Sequence, residues 1–212
     1  MGYLLKQRTI ASTQGYDYVD LGLPSGLLWA RCNIGADEPT DYGDYFMWGS
    51  VEPDTDKHCD WEHAPFNNGN NDFNKEYFKS IQNQVCPNGI LTPEYDAATS
   101  ILGDEWRLPT EDDFKELIDN TEHEWVENYK DSNANGMLFT SKTDADNTMF
   151  IPTSGALDKH TIKYKENYIF LWAATINTTI TKFAYTFIVH STGLNILSNK
   201  RYYGFCLRGV KK

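Results

Sequence analysis

An α+β fold with a mainly antiparallel sheet, short flanking helices and a long surface insertion is predicted from three observations. Helical signals lie in the first half of the chain, whereas several short β-type runs lie in the second. Residues 50 to 94 are polar, with FNNGNNDFN at Phe66 to Asn74, and keep neither a helical nor a strand period, as a surface insertion pinned by its own aromatics would. The last 42 residues, Leu171 to Lys212, hold no Asp or Glu although the chain has 30. Recognition surfaces have this make-up: Trp172, Tyr185, Tyr202 and Tyr203 offer rigid amphipathic area, and Asn177, Thr179, Thr181, Asn195, Ser198 and Asn199 offer adaptable hydrogen bonds.

The elements follow in order. After an N-terminal arm of residues 1 to 15, YDYVDLGLPSGLLWARCN (Tyr16 to Asn33) carries two β-rich runs broken by Gly22, Pro24, Ser25 and Gly26, a hairpin signature. Asp37 to Gly49 is compatible with a short helix or an irregular aromatic loop. YDAATSIL (Tyr95 to Leu102) is a short helix closed by Gly103, where a left-handed cap is cheapest. In WRLPTEDDFKELI (Trp106 to Ile118), Thr110 caps a helix, Asp113 completes a capping box, and Glu111, Asp112 and Asp113 oppose the positive helix end. Phe114, Leu117 and Ile118 give that helix one apolar stripe to lay on a sheet. Strands are expected at residues 137 to 141, 148 to 152, 168 to 175, 183 to 189 and 203 to 210, with Pro152 and Gly155 as edge or turn residues and the C-terminal strands at the sheet centre.

Composition bounds the function. The chain has 212 residues, suited to a single domain, and 40% hydrophobic content indicates a globular protein. A net charge of −11 disfavours nucleic acid and anionic membranes as partners, because phosphate binding needs a cationic footprint. No run approaches the roughly 20 apolar residues of a membrane span. The first residues show neither an apolar signal-peptide core nor the Ser or Thr that favours myristoylation. Cys32, Cys59, Cys86 and Cys206 lack metal-finger spacing and read as buried free thiols; His58, Cys59 and His63 lack a fourth ligand. No cofactor and no metal is expected.

The combination of VDLGLPSGLLWARCNIGA (Val19 to Ala36), DYGDYFMWG (Asp41 to Gly49), WRLPT (Trp106 to Thr110), LWAAT (Leu171 to Thr175) and RYYGFCLRGV (Arg201 to Val210) resembles the C-type-lectin-fold variable proteins of diversity-generating retroelements, over nearly the whole chain and in order. The resemblance implies a rigid framework carrying a hypervariable region, here residues 171 to 210, whose side chains are exchanged by adenine-directed reverse transcription. TINTTITK (Thr175 to Lys182) fits, since each of its residue types has codons beginning with adenine. Trp172, Ala173, Ala174 and Thr175, with Arg201, Gly204, Phe205, Leu207 and Arg208, match framework positions. With Ala184, Phe187 and Val189 inward and a bulge after Ala184, strand alternation turns Thr186, Ile188 and His190 outward. Ile176, Asn177, Thr179, Ile180, Lys182, Tyr185, Leu194, Asn195, Leu197 and Tyr202 complete the expected ligand-binding face, and its exposed apolar members would mark an interaction site.

The function implied is receptor recognition or adhesion toward a macromolecular surface ligand, protein or glycan, by a virion-associated protein at a phage tail tip acting outside the cell, with homo-oligomerisation adding avidity. The alternative is a calcium-dependent carbohydrate-binding lectin. Glu52-Pro53-Asp54 resembles a sugar-binding tripeptide but lies far from the C-terminal strands, which carry no carboxylate for an ion that takes six to eight oxygens. An enzymatic reading is not supported. Cys206 has no neighbour in sequence that would activate it, Asp112 and Asp113 read as helix-start charges, and His190 reads as a contact residue on a strand.

Overall fold

The computed structural model describes residues 17 to 212 except Lys57, so the expected N-terminal arm of residues 1 to 15 lies outside the described residues. Strands β1 (Tyr18–Asp20) and β2 (Leu28–Ala30) pair antiparallel as the expected hairpin. The aromatic stretch up to Gly49 is irregular and enters the sheet system through a bridge between Phe46 and Phe205. Helix α1 (Lys75–Val85) then forms inside the segment in which no period is legible; the Asn74 side chain caps it by accepting from the Tyr77 N–H, and it buries Phe78 and Val85. Cys59, Trp61, Ala64, Cys86 and Leu91 are also buried, so residues 50 to 94 supply core as well as surface.

Helix α2 (Ala97–Leu102) starts where the Asp96 carboxylate accepts the Ala98 and Thr99 N–H groups and ends at Gly103, whose φ of 106° and ψ of 168° are an extended conformation open to glycine and not the expected left-handed cap. After β3 (Trp106–Arg107), helix α3 (Glu111–Asn120) begins at the full capping box of Thr110 and Asp113. Burial alone would raise the Asp113 pKa, but the Arg107 guanidinium, the Thr110 N–H and the Thr110 hydroxyl together hold it below the usual carboxylate range. A carboxylate depressed by folding stabilises the native state above its unfolded pKa, and that stabilisation fades as pH falls through the folded value. Asp113→Asn is therefore expected to cost about 1–2 kcal/mol at neutral pH, with the gap from wild type closing below about pH 4, as read by urea denaturation across pH.

Strands β4 (Thr121–Val126), β5 (Gly136–Ser141) and β6 (Thr148–Pro152) form one antiparallel sheet with Pro152 on its edge strand, and β7 (Ala156–Asp158) pairs with β8 (Thr161–Lys163). Strands β9 (Ile169–Ile176), β10 (Phe183–His190) and β11 (Gly193–Lys200) make the C-terminal sheet, in which β10 is central. Residues 203 to 210 form no continuous strand. They bridge in turn to Leu157, Phe46 and Leu171, and only β12 (Val210–Lys211) joins the sheet of β1, β2 and β3. The result is an α+β fold of mostly antiparallel strands in several sheets with a few short helices. Among the described residues no helix is long and apolar enough to cross a membrane.

The C-terminal sheet is covered unequally. One side packs Leu171, Ala173, Phe187 and Val189 against Phe114 and Leu117 of α3. On the other side Trp172, Ala174, Ile176 and Ala184 join the core of Trp48, Phe78, Phe205 and Leu207. Trp172 fixes this arrangement, since its indole N–H donates to the Phe46 carbonyl at 3.0 Å while its ring lies 4.4 Å from that of Phe205. That second cover stops short of β11, where Asn195 and Leu197 are exposed.

Candidate functional face

Register decides which side chains meet the open side. Phe170, Ile188 and Asn195 form one cross-strand row; Trp172, Thr186 and Leu197 form the next; Ala184 stands beside Asn199 in the third. His190 closes the series, its ring 5.2 Å from that of Tyr168. Along the Trp172 row exposure rises from 0% at Trp172 and Thr186 to 55% at Leu197, so the row runs from core to solvent.

This geometry divides the sequence-derived face. Ile188, His190, Asn195 and Leu197 share the open side, with Asn195 and Leu197 the most exposed. Thr179 and Ile180 project from the turn between β9 and β10, Ile180 at 49% exposure, and Lys182 and Tyr202 are half-buried nearby: the Lys182 carbonyl accepts the Arg201 N–H. Ile176 is buried at the end of β9, where its N–H donates to the Gly89 carbonyl. Thr186 lies on the expected side but is fully buried, and its hydroxyl has no partner among the described residues.

Tyr185 and Leu194 point the opposite way, toward the core beneath α3. The reason is that the β10–β11 ladder is unbroken from Phe183↔Lys200 to His190↔Gly193, while the irregularity falls on β9, where Ile176 and Trp172 oppose Ala184 and Thr186. Alternation along β10 is thus strict, and Ala184 shares a side with Thr186 instead of Phe187. Asn177 is exposed only in part and is committed to the scaffold: its carbonyl oxygen accepts the Thr179 and Ile180 N–H groups and its amide donates to Ser198.

Half of the basic residues of the C-terminal segment are internal. Arg201, Arg208 and Lys211 are buried. Arg208 donates to the Asn33 side chain at 2.9 Å and the Phe150 carbonyl at 3.0 Å, and burial pulls its pKa down to about 10. Among the described residues Arg201 has no carboxylate partner. Its guanidinium sits 4.1 Å from the Phe78 ring centroid, 5.2 Å from Phe73 and 5.4 Å from Trp48, while Nε donates to the Thr181 carbonyl at 2.9 Å. Two of these three rings come from the insertion, which so props the residue that ties down the β9–β10 turn. This linkage escapes sequence reading, because nothing local marks Arg201 as caged.

The residues weighed for catalysis or metal binding are engaged structurally. All four cysteines are free; Cys59, Cys86 and Cys206 are buried, and burial pushes the Cys86 thiol up to about 11 and the Cys206 thiol up to about 12. Cys59 is raised further by burial and by the Asp54 carboxylate that its thiol meets at 2.8 Å. That same carboxylate of the Glu52-Pro53-Asp54 tripeptide accepts the His58 N–H. Asp112 is an exposed helix-start charge paired with Lys115, and His190 contacts Thr192 next to it. Among the described residues no group of three or more His, Cys, Asp or Glu is placed to hold a metal ion.

The surface that emerges is smaller than the sequence implies: the outer residues of β10 and β11, the β9–β10 turn and Tyr202, on a sheet whose reverse is buried. Comparison with protein-family models, with curated proteins and with solved structures finds no match to this chain.

Proposed function

We propose that this protein is a receptor-recognition or adhesin module that engages a macromolecular surface ligand through exchangeable side chains on its C-terminal sheet, as its resemblance to retroelement-diversified C-type-lectin-fold proteins implies. The observation that carries the reading is the gradient across the sheet. Trp172 and Thr186 are sealed, whereas Leu197 in the same row and Ile180 in the adjoining turn are half exposed beside Thr179 and Asn195. Large apolar side chains held open on a stiff platform mark an interaction site, and outward residues on a buried scaffold can change without changing the fold. The expected setting is a phage tail tip facing a host cell, in an assembly whose copies add avidity.

Two measurements test this. In the coding sequence and its neighbourhood, a reverse-transcriptase gene and a template repeat differing at adenines should be found, with the differences in codons for Thr179, Ile180, Ile188, Asn195 and Leu197 and not for Trp172, Ile176 or Thr186. In cell-binding assays with labelled protein, Ile180→Asp and Leu197→Asp should each weaken adhesion at least about tenfold while shifting stability by no more than about 0.5 kcal/mol. Unchanged adhesion in both variants would refute the assignment of this face.

A further inference from the structure

A strand at the rim of a sheet carries unpaired main-chain donors and acceptors, and monomeric proteins blunt such rims with charge, proline, short length or a covering segment. Most rims of this chain are blunted in one of these ways. Strands β1, β3, β7 and β8 have two or three residues, β4 exposes Glu122 and Glu124, and β6 ends in Pro152 and gives its Phe150 carbonyl to Arg208. The outer side of β9 is covered, since the Trp172, Ala174 and Ile176 N–H groups donate to the carbonyls of Cys206, Pro109 and Gly89. Strand β11 has none of these protections. Its eight residues, GLNILSNK, form the rim of the C-terminal sheet, pair with β10 without a bulge, and hold no proline and no charge before Lys200.

The phase of the ladder shows which groups stay open. The Phe183 carbonyl accepts the Asn177 N–H on the β9 side, and the Arg201 N–H donates to the Lys182 carbonyl, so Phe183 and Lys200 face each other with no hydrogen bond between them. Bonded and non-bonded pairs alternate from there. Asn195, Leu197 and Asn199 therefore commit their main-chain groups to β10. Those of Leu194, Ile196 and Ser198 point off the sheet, where they meet no main-chain partner among the described residues.

We infer that β11 pairs antiparallel with β11 of a second copy of this chain about a twofold axis through Leu197, joining two three-stranded sheets into one. Twofold pairing uses the rim of both copies and closes at two, whereas pairing β11 with a different strand leaves a rim open at each end of the assembly. The axis sets Leu197 against Leu197 and Asn195 against Asn199 of the second copy, as close non-hydrogen-bonded pairs, and lets Ile196 exchange main-chain bonds with Ser198 of the second copy. An axis through Ile196 would set Leu197 against an amide instead. Leu197 is 55% exposed, while Leu194 and Ile196 already pack toward α3, so the apolar gain lies in matching Leu197 with its like. Charge favours this contact. The chain carries −11, yet residues 171 to 212 hold no Asp or Glu, so two acidic bodies meet here without acid facing acid, and the antiparallel arrangement keeps the two Lys200 side chains apart. Main-chain bonds give affinity whatever the side chains are, so the pairing tolerates exchange of the outward residues. The inference goes beyond the recognition reading and does not depend on it; where both hold, two binding faces stand side by side on one platform.

The test is sedimentation equilibrium of the full chain between about 1 µM and about 1 mM. A reversible monomer–dimer equilibrium without larger species is expected. Ile196→Pro removes a donor that β10 does not use, and Leu197→Lys sets two ammonium groups face to face at the axis; each should raise the dimer Kd at least about tenfold. The second replaces an exposed side chain, so it decides should the proline variant fail to fold. In air, Leu197→Cys should give a disulfide-linked dimer beyond the level of the wild type with its own free cysteines, and Asn195→Cys should not, because like residues meet only at the axis. The inference is overturned by a monomer throughout that range, by a Kd unchanged in Leu197→Lys, or by Asn195→Cys cross-linking as readily as Leu197→Cys. Cell adhesion by a strictly monomeric protein would remove the dimer and leave the recognition reading standing; a dimer that adheres to no cell does the reverse.

Discussion

Replacing Arg201 by Ala is expected to destabilise the protein by about 3–5 kcal/mol, and so to lower its melting temperature by roughly 10 °C. The residue is fully buried, yet its charge is met by ring faces and carbonyl oxygens instead of a carboxylate. Burial pulls its pKa down to about 9, which leaves it protonated at neutral pH. Truncation would empty the space between Trp48, Phe73 and Phe78 and free the Thr181 carbonyl. Arg201→Lys separates the contributions, because it keeps a charge but concentrates it on an ammonium that cannot lie flat on three rings or keep the guanidinium geometry. A cost of about 2–3 kcal/mol is expected for it. Arg201→Met, similar in volume and uncharged, should cost less than Lys, since it removes the burden of burying a cation. Chemical denaturation of the three variants orders them; Met the worst of the three would mean that the cation–π cage is the dominant source of stability at this site. Because the Thr181 carbonyl accepts from the Arg201 guanidinium, a bond the Ala variant loses, amide exchange in the β9–β10 turn should accelerate in that variant even under native conditions.

How far the fold could be read depended on whether its determinants were local. The capping box at Thr110 and Asp113 involves side chains three positions apart and is fully visible in the sequence, as is the Gly103 stop after α2. Helix α1 was hidden because only Phe78 and Val85 of its 11 residues are buried, too narrow a stripe to give a period within a polar segment. Strand β11 was hidden for a related reason. One of its sides is open, so GLNILSNK is not among the expected strands, and its strand character comes from pairing with β10 along eight residues. Residues 203 to 210 misled in the other direction. Their alternation is that of a strand, but Gly204, Phe205 and Cys206 each bridge to a different segment.

The candidate face shows the same limit. Alternation correctly grouped Thr186, Ile188 and His190, because side chains on one strand obey a fixed period. What lies above each residue is tertiary information, and the return segment through Phe205 seals the β9 end of the sheet while leaving β11 open. Composition also misassigned Ile176. It belongs to TINTTITK, but it is the last residue of a buried strand and not the first of an exposed turn.

Trp172→Ala and Leu197→Ala, substitutions at two ends of one cross-strand row, are expected to differ by several kcal/mol. Trp172 loses a buried ring in contact with Phe205 and the hydrogen bond from its indole N–H to Phe46, and a cavity of that size cannot collapse between two packed segments. A cost of about 3–5 kcal/mol follows, enough to unfold much of a marginally stable domain. Leu197 is 55% exposed and packs on no core cluster, so its truncation should change stability by less than about 0.5 kcal/mol. Only Thr186 stands between them. Equilibrium unfolding of the two variants measures the contrast directly, and a loss above about 2 kcal/mol for Leu197→Ala would place that side chain in the scaffold. A steep drop within one row is the physical condition for a face that can vary: the energy that holds the sheet is gathered under β9 and α3, and the side chains of β11 that reach solvent are released from holding it.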